Sequence, residues 1–333
     1  MPGSDGSFAV AHPNIALVKY WGKRDEDLVL PCADSLSMTL DVFPTTTQVR
    51  LADCLAHDVV IVDGAVDRGE TARRVTGFLD LVRERAGRTE RAMVVTRNTV
   101  PVGAGLASSA SAFAALALAA ASTYGLSVEP VELSRLARHG SGSAARSVFG
   151  GFVIWHAGGP DHPDPDLASY AEPLVNARLD LALVAVLLDT GPKPVSSREA
   201  MRRTVKTSPL FPGWLAAARG DLTAMREALT RGDIATVGEI AERNALGMHQ
   251  TMESAVPPVH YRTPASYRVL EEVRRMRACG AQAWATMDAG PNVKVLCAGD
   301  NAERVARELR QLSGCVAVVA RSGPGATLDR AVR

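Results

Sequence analysis

Hydrophobic and β-branched residues alternate with polar ones in several short segments in the first half of the chain. A period of two residues predicts strands, here at residues 14–20, 37–40, 48–51, 59–62, 91–97 and 152–156. In residues 71–86 the apolar side chains recur every three to four positions, which predicts an amphipathic helix. Residues 109–124 are rich in alanine, which indicates a helix whose neighbours pack closely. Two shorter helices are predicted at residues 131–139, ending at Gly140, and at residues 143–149.

The second half of the chain is mostly helical before it returns to strands. After a loop rich in Pro, Gly and Asp at residues 156–169, a buried strand is predicted at residues 181–188. Helices are predicted at residues 197–207, 212–219, 222–230, 234–252 and 264–278. The remainder predicts half of a ferredoxin-like split β-α-β sandwich, with strands at residues 281–287, 293–298 and 316–320 and a helix at residues 301–312. Together these elements predict an α+β protein of two lobes, residues 1–185 and 186–333.

Composition narrows the class of protein without identifying a function. The 333 residues are 47% hydrophobic and 22% charged, as in ordinary globular proteins. The formal net charge of +1 gives no reason to expect nucleic acid or an anionic membrane surface as a partner. No apolar run predicts a membrane-spanning helix, and residues 1–8 lack the features of a signal peptide. The five cysteines show no CxxC spacing, so we expect a cytoplasmic protein with free thiols and no structural metal site.

A glycine-rich segment between a predicted strand and the alanine-rich helix is the first candidate ligand site. Glycines allow close backbone approach to a ligand, and a helix N-terminus favours a polyanion. The segment is neither a Walker A loop, since no GK[ST] follows, nor a complete dinucleotide fingerprint. A turn before a buried helix remains the alternative. The candidate phosphate-binding residues are Pro101, Gly103, Ala104, Gly105, Leu106, Ala107, Ser108 and Ser109.

A second turn rich in glycine and serine, GSGSAARS at residues 140–147, also opens a predicted helix. Its first turn carries Arg146, whose guanidinium can form a two-pronged pair with a carboxylate or a phosphate. Ser141 and Ser143 can donate hydrogen bonds to phosphate oxygens. A capped helix with an ordinary surface arginine is the alternative interpretation.

Lys19 is unusual because the predicted strand at residues 14–20 places it on the same face as Ile15 and Leu17. A lysine on an apolar face normally has a partner, and a carboxylate from elsewhere in the chain would be suitable. Asp288, in the sequence DAGPN between two apolar strands, is a candidate for that carboxylate. The alternatives are a lysine that extends to solvent at a sheet edge and an aspartate that only forms a turn.

Ser196 and Glu199 have the spacing of a capping box. Such a box would present Ser197 and Arg198 at the N-terminus of the predicted helix at residues 197–207. A plain capped helix without a ligand is equally compatible with this spacing.

These segments together resemble the diphosphomevalonate decarboxylases of the GHMP kinase superfamily. The resemblance extends over nearly the whole chain, and GLASSA by itself marks only the superfamily. KYWGK, GSGSxxR and DAGPN in combination are more specific. The matching segments, in the family's order, are residues 14–23, 98–111, 140–151, 195–201 and 288–292. The resemblance implies the two-lobed GHMP kinase fold, with a phosphate loop in a mixed N-terminal lobe and a ferredoxin-like C-terminal lobe.

The resemblance also implies an activity: ATP-dependent conversion of diphosphomevalonate to isopentenyl diphosphate, phosphate and CO2, with Mg²⁺ as cofactor, in a homodimer. Asp288 would act as a base near the C3 hydroxyl, beside Lys19. Arg146 would hold the substrate carboxylate with help from Asn14. Ser108 is the candidate for a Mg²⁺ contact, and Asn98 would lie near the nucleotide with the phosphate loop. The diphosphate would be bound by Tyr20, Lys23, Ser141, Gly142, Ser143, Ser197 and Arg198.

The closest alternative is a kinase of the same superfamily that phosphorylates mevalonate or a relative without decarboxylation. Lys19, Asp288 and Arg146 together favour the decarboxylase. A monophosphorylated substrate also remains open, although Lys23 and Arg198 supply charge suited to a diphosphate. A non-catalytic binding protein predicts the loss of polar residues at these sites, and none is lost. A nucleotide-binding oxidoreductase is disfavoured by the incomplete fingerprint.

Overall fold

The computed structural model describes residues 6–52, 54–99, 108–159, 162–188, 191, 193–312 and 315–329. The strands are β1 (Ser7–Ala11), β2 (Asn14–Val18), β3 (Lys23–Asp25), β4 (Leu30–Pro31), β5 (Ser35–Thr39), β6 (Thr45–Leu51), β7 (Val59–Val62), β8 (Ala65–Asp67), β9 (Ala92–Asn98), β10 (Phe152–Trp155), β11 (Ala171–Pro173), β12 (Leu181–Leu187), β13 (Ala283–Met287), β14 (Val293–Ala298), β15 (Val316–Ala320) and β16 (Thr327–Leu328). The helices are α1 (Glu70–Ala86), α2 (Ser108–Thr123), α3 (Pro130–Gly140), α4 (Ala144–Ser147), α5 (Pro165–Ala168), α6 (Ser197–Thr207), α7 (Phe211–Arg231), α8 (Ile234–Glu253), α9 (Pro264–Ala278) and α10 (Ala302–Arg310).

The strands form three larger sheets and the β3–β4 hairpin. The first sheet has the order β16-β1-β6-β9-β7-β8, and the second has the order β11-β10-β5-β2. Both belong to the N-terminal half, apart from β16, which returns from the end of the chain to pair with β1. The third sheet, β13-β14-β12-β15, is antiparallel and belongs to the C-terminal half. This mixed architecture confirms the predicted α+β class.

Helix α2 is the central helix of the N-terminal half. Alanines cover most of its surface, so β1 and β6 on one side and α3 and α4 on the others can approach it closely. Its hydrophobicity is spread around the whole helix because the helix is buried on all sides. The predicted close packing at residues 109–124 is therefore confirmed.

The two halves share one hydrophobic core. Ile15 and Leu17 of β2 pack in the same cluster as Leu183 of β12 and Trp284 of β13. Helix α8 lies between them, since it contacts both β2 and β13. Burial of these side chains in one cluster fixes the end of β2 relative to the turn between β13 and β14.

Some predicted boundaries were wrong. The helices predicted at residues 212–219 and 222–230 are one helix, α7, because packing of α7 against α8 outweighs the low helix propensity of Gly220. The strand predicted at residues 14–20 ends at Val18, so Lys19 follows the strand instead of lying within it. Pattern reasoning missed short elements, namely β1, β3, β4, β8, β11, β16 and α5.

The division of the chain at residues 185 and 186 stays a prediction, and this position falls inside β12. The final described segment also crosses between the halves: the backbone N–H of Gly323 donates to the carbonyl oxygen of Thr39 at 2.8 Å. In the part of the chain described above, no helix combines the length and apolar character needed to cross a membrane.

Candidate active site

A cleft of about 970 Å³ lies where the two halves meet. It is bordered by the end of β2, the start of α2, the turn between α3 and α4, the start of α6, and the turn between β13 and β14. The structure brings these predicted site residues together in its wall: Asn14, Lys19, Tyr20, Lys23, Asn98, Ser108, Ser109, Ser141, Gly142, Ser143, Arg146, Ser197, Arg198 and Asp288. The predicted residues Pro101, Gly103, Ala104, Gly105, Leu106 and Ala107 lie outside the described residues.

Lys19 and Asp288 form an ion pair in this cleft. Lys19 Nζ donates to Asp288 Oδ1 at 2.8 Å and to the carbonyl oxygen of Ala16 at 2.8 Å. Lys19 is 2% exposed, so its charge requires these partners. Its backbone N–H also donates to Asn244 Oδ1 at 2.8 Å, which ties the end of β2 to helix α8. A carboxylate partner was predicted for Lys19 because it lies among apolar residues. In the structure, that partner is Asp288.

Lys294 in β14 approaches the other oxygen of the same carboxylate. Its Nζ lies 3.2 Å from Asp288 Oδ2, and the side chain is buried. Burial tends to raise the pKa of Asp288, but Lys19 and Lys294 outweigh burial, so this pKa lies well below its usual range. Sequence reasoning missed Lys294. The signal was available, since a lysine within the apolar strand at residues 293–298 has the same anomaly as Lys19.

Lys193 is a further cation in the cleft wall that sequence reasoning missed. Its Nζ donates to Ser197 Oγ at 3.3 Å. Burial and the nearby charge of Lys294 lower the pKa of Lys193, while Asp288 opposes this change. Lys193 lies in a short polar segment without a periodic pattern, so no sequence signal distinguished it from an ordinary loop lysine.

Arg146 is buried in the cleft wall and held there by several contacts. Its Nε donates to Asn14 Oδ1 at 3.2 Å, and its Nη1 donates to Ser35 Oγ at 2.6 Å. The guanidinium also lies over the ring of Trp155 at 5.7 Å, and burial lowers the pKa of Arg146 to about 10. Asn14 in turn donates to Ser147 Oγ at 2.8 Å. Sequence reasoning missed Ser35, because a single serine in a strand carries no specific signal.

The hydroxyl-rich corner combines Tyr20 with the turn between α3 and α4. Tyr20 packs edge-on against Trp155 with ring centroids 4.7 Å apart, and burial raises its pKa, so the phenol is neutral at physiological pH. Gly142 is required here, because a Cβ would lie 2.8 Å from Trp155 and 2.9 Å from the Tyr20 hydroxyl oxygen. Ser141 Oγ donates to Ser109 Oγ at 3.3 Å, which links this corner to the start of α2.

Lys23 and Arg198 lie at the outer end of the same corner. Lys23 pairs with Glu26, and Arg198 Nη1 lies 3.8 Å from Glu70 Oε1 with about half of its side chain exposed. The pair of Arg198 is exposed, so it contributes little free energy and can exchange partners. Lys23 is only 7% exposed, although its partner Glu26 is about half exposed. Both side chains line the cleft, where they can meet an anion.

The predicted capping box at the start of α6 is only half formed. Ser196 Oγ accepts a hydrogen bond from the backbone N–H of Glu199 at 3.2 Å, as predicted. The Glu199 carboxylate instead pairs with Arg202 and Arg203. The single cap still starts the helix at Ser197 and leaves Ser197 and Arg198 in the cleft wall.

The part of the cleft where nucleotide binding is predicted is formed by Asn98 and the first turn of α2. Asn98 is fixed because its backbone N–H donates to Asp63 Oδ1 at 2.8 Å and its side chain accepts from Thr45. Ser108 and Ser109 present hydroxyls at the N-terminus of a 16-residue helix, where the dipole favours phosphate. Within the described residues, no cluster of three His, Cys, Asp or Glu side chains could hold a metal. Ser108, the predicted contact for a nucleotide-borne Mg²⁺, lines this part of the cleft.

Family models match both halves of the chain. Residues 11–169 match the model of the diphosphomevalonate decarboxylase-like N-terminal domain, and residues 182–322 match that of the mevalonate 5-diphosphate decarboxylase C-terminal domain. The chain is 35% identical to the diphosphomevalonate decarboxylase mvd1 of Aspergillus fumigatus over 320 residues, covering 90% of this chain and 79% of the relative.

Solved structures of mevalonate diphosphate decarboxylases share the fold. The enzyme from Enterococcus faecalis is 43% identical with a TM-score of 0.90, covering 97% of this chain and 98% of that chain. A solved complex of MDDEF with MVAPP, AMPPCP and magnesium is 44% identical with a TM-score of 0.91 and the same coverage. The agreement extends over both halves of the molecule, and the chain therefore belongs to the diphosphomevalonate decarboxylase family.

Proposed function

We propose that this chain catalyses the ATP-dependent decarboxylation of (R)-5-diphosphomevalonate in the mevalonate route of isoprenoid biosynthesis. The products would be isopentenyl diphosphate, ADP, phosphate and CO2. The observation that carries the proposal is the contact of Lys19 with Asp288 at 2.8 Å in a cleft that also contains Arg146. A carboxylate, a buried lysine and a buried arginine suit a substrate that carries both a hydroxyl and a carboxylate.

The substrate has three polar groups, and the cleft offers a different set of side chains for each. Asp288 would accept a hydrogen bond from the C3 hydroxyl, with Lys19 beside it. Arg146 would hold the carboxylate, because Asn14 and Ser35 already fix the direction of its guanidinium. The diphosphate would be bound by Tyr20, Lys23, Ser141, Gly142, Ser143, Ser197 and Arg198.

The nucleotide would be held by Asn98, Pro101, Gly103, Ala104, Gly105, Leu106, Ala107, Ser108 and Ser109. Bound ATP with Mg²⁺ supplies the phosphoryl group that converts the tertiary hydroxyl into a leaving group. The protein contributes position and charge neutralisation, which are the main requirements of phosphoryl transfer. The hydrogen bond between Ser141 and Ser109 joins the two binding regions, so the hydroxyl-rich corner and the first turn of α2 are held at a fixed spacing.

The charges of the cleft suit the steps that follow phosphoryl transfer, which are the loss of phosphate and the loss of CO2. Loss of the phosphate builds positive charge at C3. The bond between the carboxylate carbon and the adjacent carbon then breaks, and its electron pair forms the double bond. Arg146 orients the carboxylate, yet it must not stabilise it so strongly that CO2 cannot leave. Asp288 is a weak base because Lys19 and Lys294 lower its pKa. Alignment of the hydroxyl against Asp288 must therefore account for most of its contribution.

A homodimer and a cytoplasmic location are further parts of this proposal. The family resemblance supports the homodimer, and the five free cysteines support a reducing compartment. Sedimentation at several protein concentrations would test the dimer directly.

The experiment that tests the function incubates the protein with ATP, Mg²⁺ and, separately, mevalonate, phosphomevalonate and diphosphomevalonate. CO2 and ADP are measured together. Equal amounts of both with diphosphomevalonate alone are expected. ADP without CO2 would identify a kinase, and equal CO2 and ADP with phosphomevalonate would move the substrate assignment to the monophosphate.

A further inference from the structure

Lys294 is a buried lysine in β14. Its side chain lies on the face of the strand that is directed toward the N-terminal half. Its neighbours in the strand, Val293 and Val295, point into the core formed with α9 and α10. Lys294 alternates with them and lies opposite Ala185 of β12 and Thr286 of β13. It is 2% exposed, and a buried ammonium group is stable only with an anionic or strongly polar partner.

The partner of Lys294 is the carboxylate at the centre of the cleft. Lys294 Nζ lies 3.2 Å from Asp288 Oδ2, while Lys19 Nζ lies 2.8 Å from Oδ1. The two lysines therefore contact different oxygens of one carboxylate; Lys294 lies in β14, and Lys19 directly follows β2 of another sheet. Two contacts on opposite oxygens restrict rotation of the carboxylate plane, which a single ion pair would not do.

Lys294 does not belong to the cleft wall as Lys19 and Asp288 do. The described residues that line the cleft include both members of that pair but not Lys294. Its ion pair with Asp288 connects Lys294 to the cleft.

We propose that Lys294 is a positioning residue, which holds Oδ2 of Asp288 so that the carboxylate stays ionised and in one orientation toward the substrate hydroxyl. This role rests on the proposed function, in which Asp288 faces the C3 hydroxyl. It differs from the role of Lys19, whose ammonium group reaches the cleft itself. Lys294 sets the orientation and the charge of the Asp288 carboxylate through its contact with Oδ2.

The other charged and titratable groups around Asp288 come from separate elements. Lys193 precedes α6, Arg146 belongs to α4, and His249 of α8 donates to the backbone carbonyl oxygen of Asp288 at 3.1 Å. Burial keeps His249 neutral near pH 7, so it does not compete with Lys294 as a source of charge. Among these groups, Lys19 and Lys294 are the two whose side chains form ion pairs with the Asp288 carboxylate.

The first test compares Lys294→Met with Lys206→Met, a matched loss of one lysine at an exposed position of α6 away from the cleft. For Lys294→Met we expect kcat to fall about tenfold or more, with KM for both substrates changed less than about threefold. Loss of a neighbouring cation raises the pKa of a carboxylate, so the acidic limb of the kcat–pH profile should move up by about one unit or more. Lys206→Met should match the wild type. An unmoved acidic limb in a folded Lys294→Met protein would overturn the proposal.

Lys294→Gln keeps similar length and a hydrogen-bond donor, and it replaces Lys294→Met in the same assay if that protein does not fold. A second readout does not depend on turnover. The carboxyl ¹³C resonance that disappears in Asp288→Asn identifies Asp288. Its titration can be followed in the wild type and in the Lys294 variant. We expect it to titrate at higher pH in the Lys294 variant than in the wild type. Identical titrations would contradict the proposed role. Absence of CO2 release by the wild type would instead refute the proposed function.

Discussion

Lys19 Nζ lies 2.8 Å from Asp288 Oδ1 although 269 positions separate the two residues in the chain. Helix α8 holds both ends of this pair. Its Asn244 accepts a hydrogen bond from the backbone N–H of Lys19, and its His249 donates to the backbone carbonyl oxygen of Asp288. One helix therefore fixes the backbone of both residues, and the core shared by β2 and β13 supports that arrangement.

Replacing Asp288 by Asn tests the importance of its charge. The amide retains the shape of the side chain but leaves the buried Lys19 and Lys294 without their anion. We expect kcat to fall about 10²- to 10⁴-fold, as for loss of a group that moves or orients a proton. ADP and CO2 release with diphosphomevalonate would measure it. Asp300→Asn, at an exposed position after β14, is the control. Near-normal turnover of folded Asp288→Asn would show that Asp288 has no such role.

Replacing Asn244 by Leu tests whether α8 positions the pair. Asn244 accepts from Lys19 and donates to Asp221 Oδ2 at 2.9 Å, so the change leaves two buried polar groups unsatisfied. We expect a loss of about 1–3 kcal/mol in the free energy of unfolding and a fall in kcat of about tenfold.

The control for Asn244→Leu is Arg243→Ala, which removes the other partner of Asp221. Arg243 is 62% exposed but Asp221 is buried, so Arg243→Ala also takes a partner from a buried carboxylate and should cost about 1–3 kcal/mol, with kcat unchanged. Urea unfolding and steady-state kinetics on both proteins provide the comparison. If Asn244→Leu loses stability but keeps its kcat, α8 supports the fold and not the reaction.

His249 makes stability depend on pH. Burial lowers its pKa from 6.5 to about 3, so the folded protein does not take up a proton that the unfolded chain binds. The stabilisation from neutral His249 is complete above pH 6.5 and declines by about 1.4 kcal/mol for each pH unit below that value.

His249→Gln can keep a donor near the Nε2 position without a titrating group. The variant should be less stable than the wild type at pH 7.5, and the difference should shrink as the pH falls toward 4.5. Urea unfolding at a series of pH values measures it. A difference that stays constant with pH would mean that His249 titrates normally in the folded protein.

Sequence patterns located the residues that line the cleft better than the contacts that support them. Residues 140–147 and 288–292 could be recognised because glycine, serine and charged residues interrupt apolar patterns there. Each predicted site residue that the structure describes lines the cleft. Lys294 could have been found by the argument applied to Lys19, since both are lysines among apolar residues of a predicted strand.

Other contacts had no local signal. Ser35 reaches Arg146 only because β5 is paired between β2 and β10, and Asn244 reaches Lys19 only because α8 crosses the shared core. Such contacts depend on tertiary packing. The continuous helix α7 has a similar explanation: the two predicted helices were separated at residues 220 and 221, but packing of α7 against α8 favours one helix despite the low propensity of Gly220.

Arg146→Lys tests the two-point support of the guanidinium. Arg146 donates through Nε to Asn14 and through Nη1 to Ser35, and a single ammonium group cannot make both contacts and still face a carboxylate. We expect kcat/KM for diphosphomevalonate to fall about 10- to 100-fold, with a smaller loss for Ser35→Ala. Arg231→Lys, on the exposed end of α7, should have no effect. Equal activity of Arg146→Lys and the wild type would show that charge alone suffices at this position.

Gly142→Ala tests the packing of the hydroxyl-rich corner. The added Cβ would lie 2.8 Å from Trp155 and 2.9 Å from the Tyr20 hydroxyl oxygen. Trp155 is fully buried and cannot move easily, so Tyr20 must shift away from the place proposed for the diphosphate. We expect KM for diphosphomevalonate to rise about tenfold and stability to fall by about 1–3 kcal/mol. The KM for ATP should change less, because Asn98 and the start of α2 are not displaced.

The matched control is Gly220→Ala in α7, where an added Cβ has no neighbour within 4 Å outside its own helix. Alanine restricts the unfolded chain and favours the helix, so this protein should gain about 0.5–1 kcal/mol with unchanged kinetics. Thermal unfolding and steady-state kinetics of the two variants separate the effect of a methyl group from the effect of its location. If Gly142→Ala binds diphosphomevalonate as tightly as the wild type, Tyr20 does not need its present position, and the diphosphate must be held by the serines and cations of the corner alone.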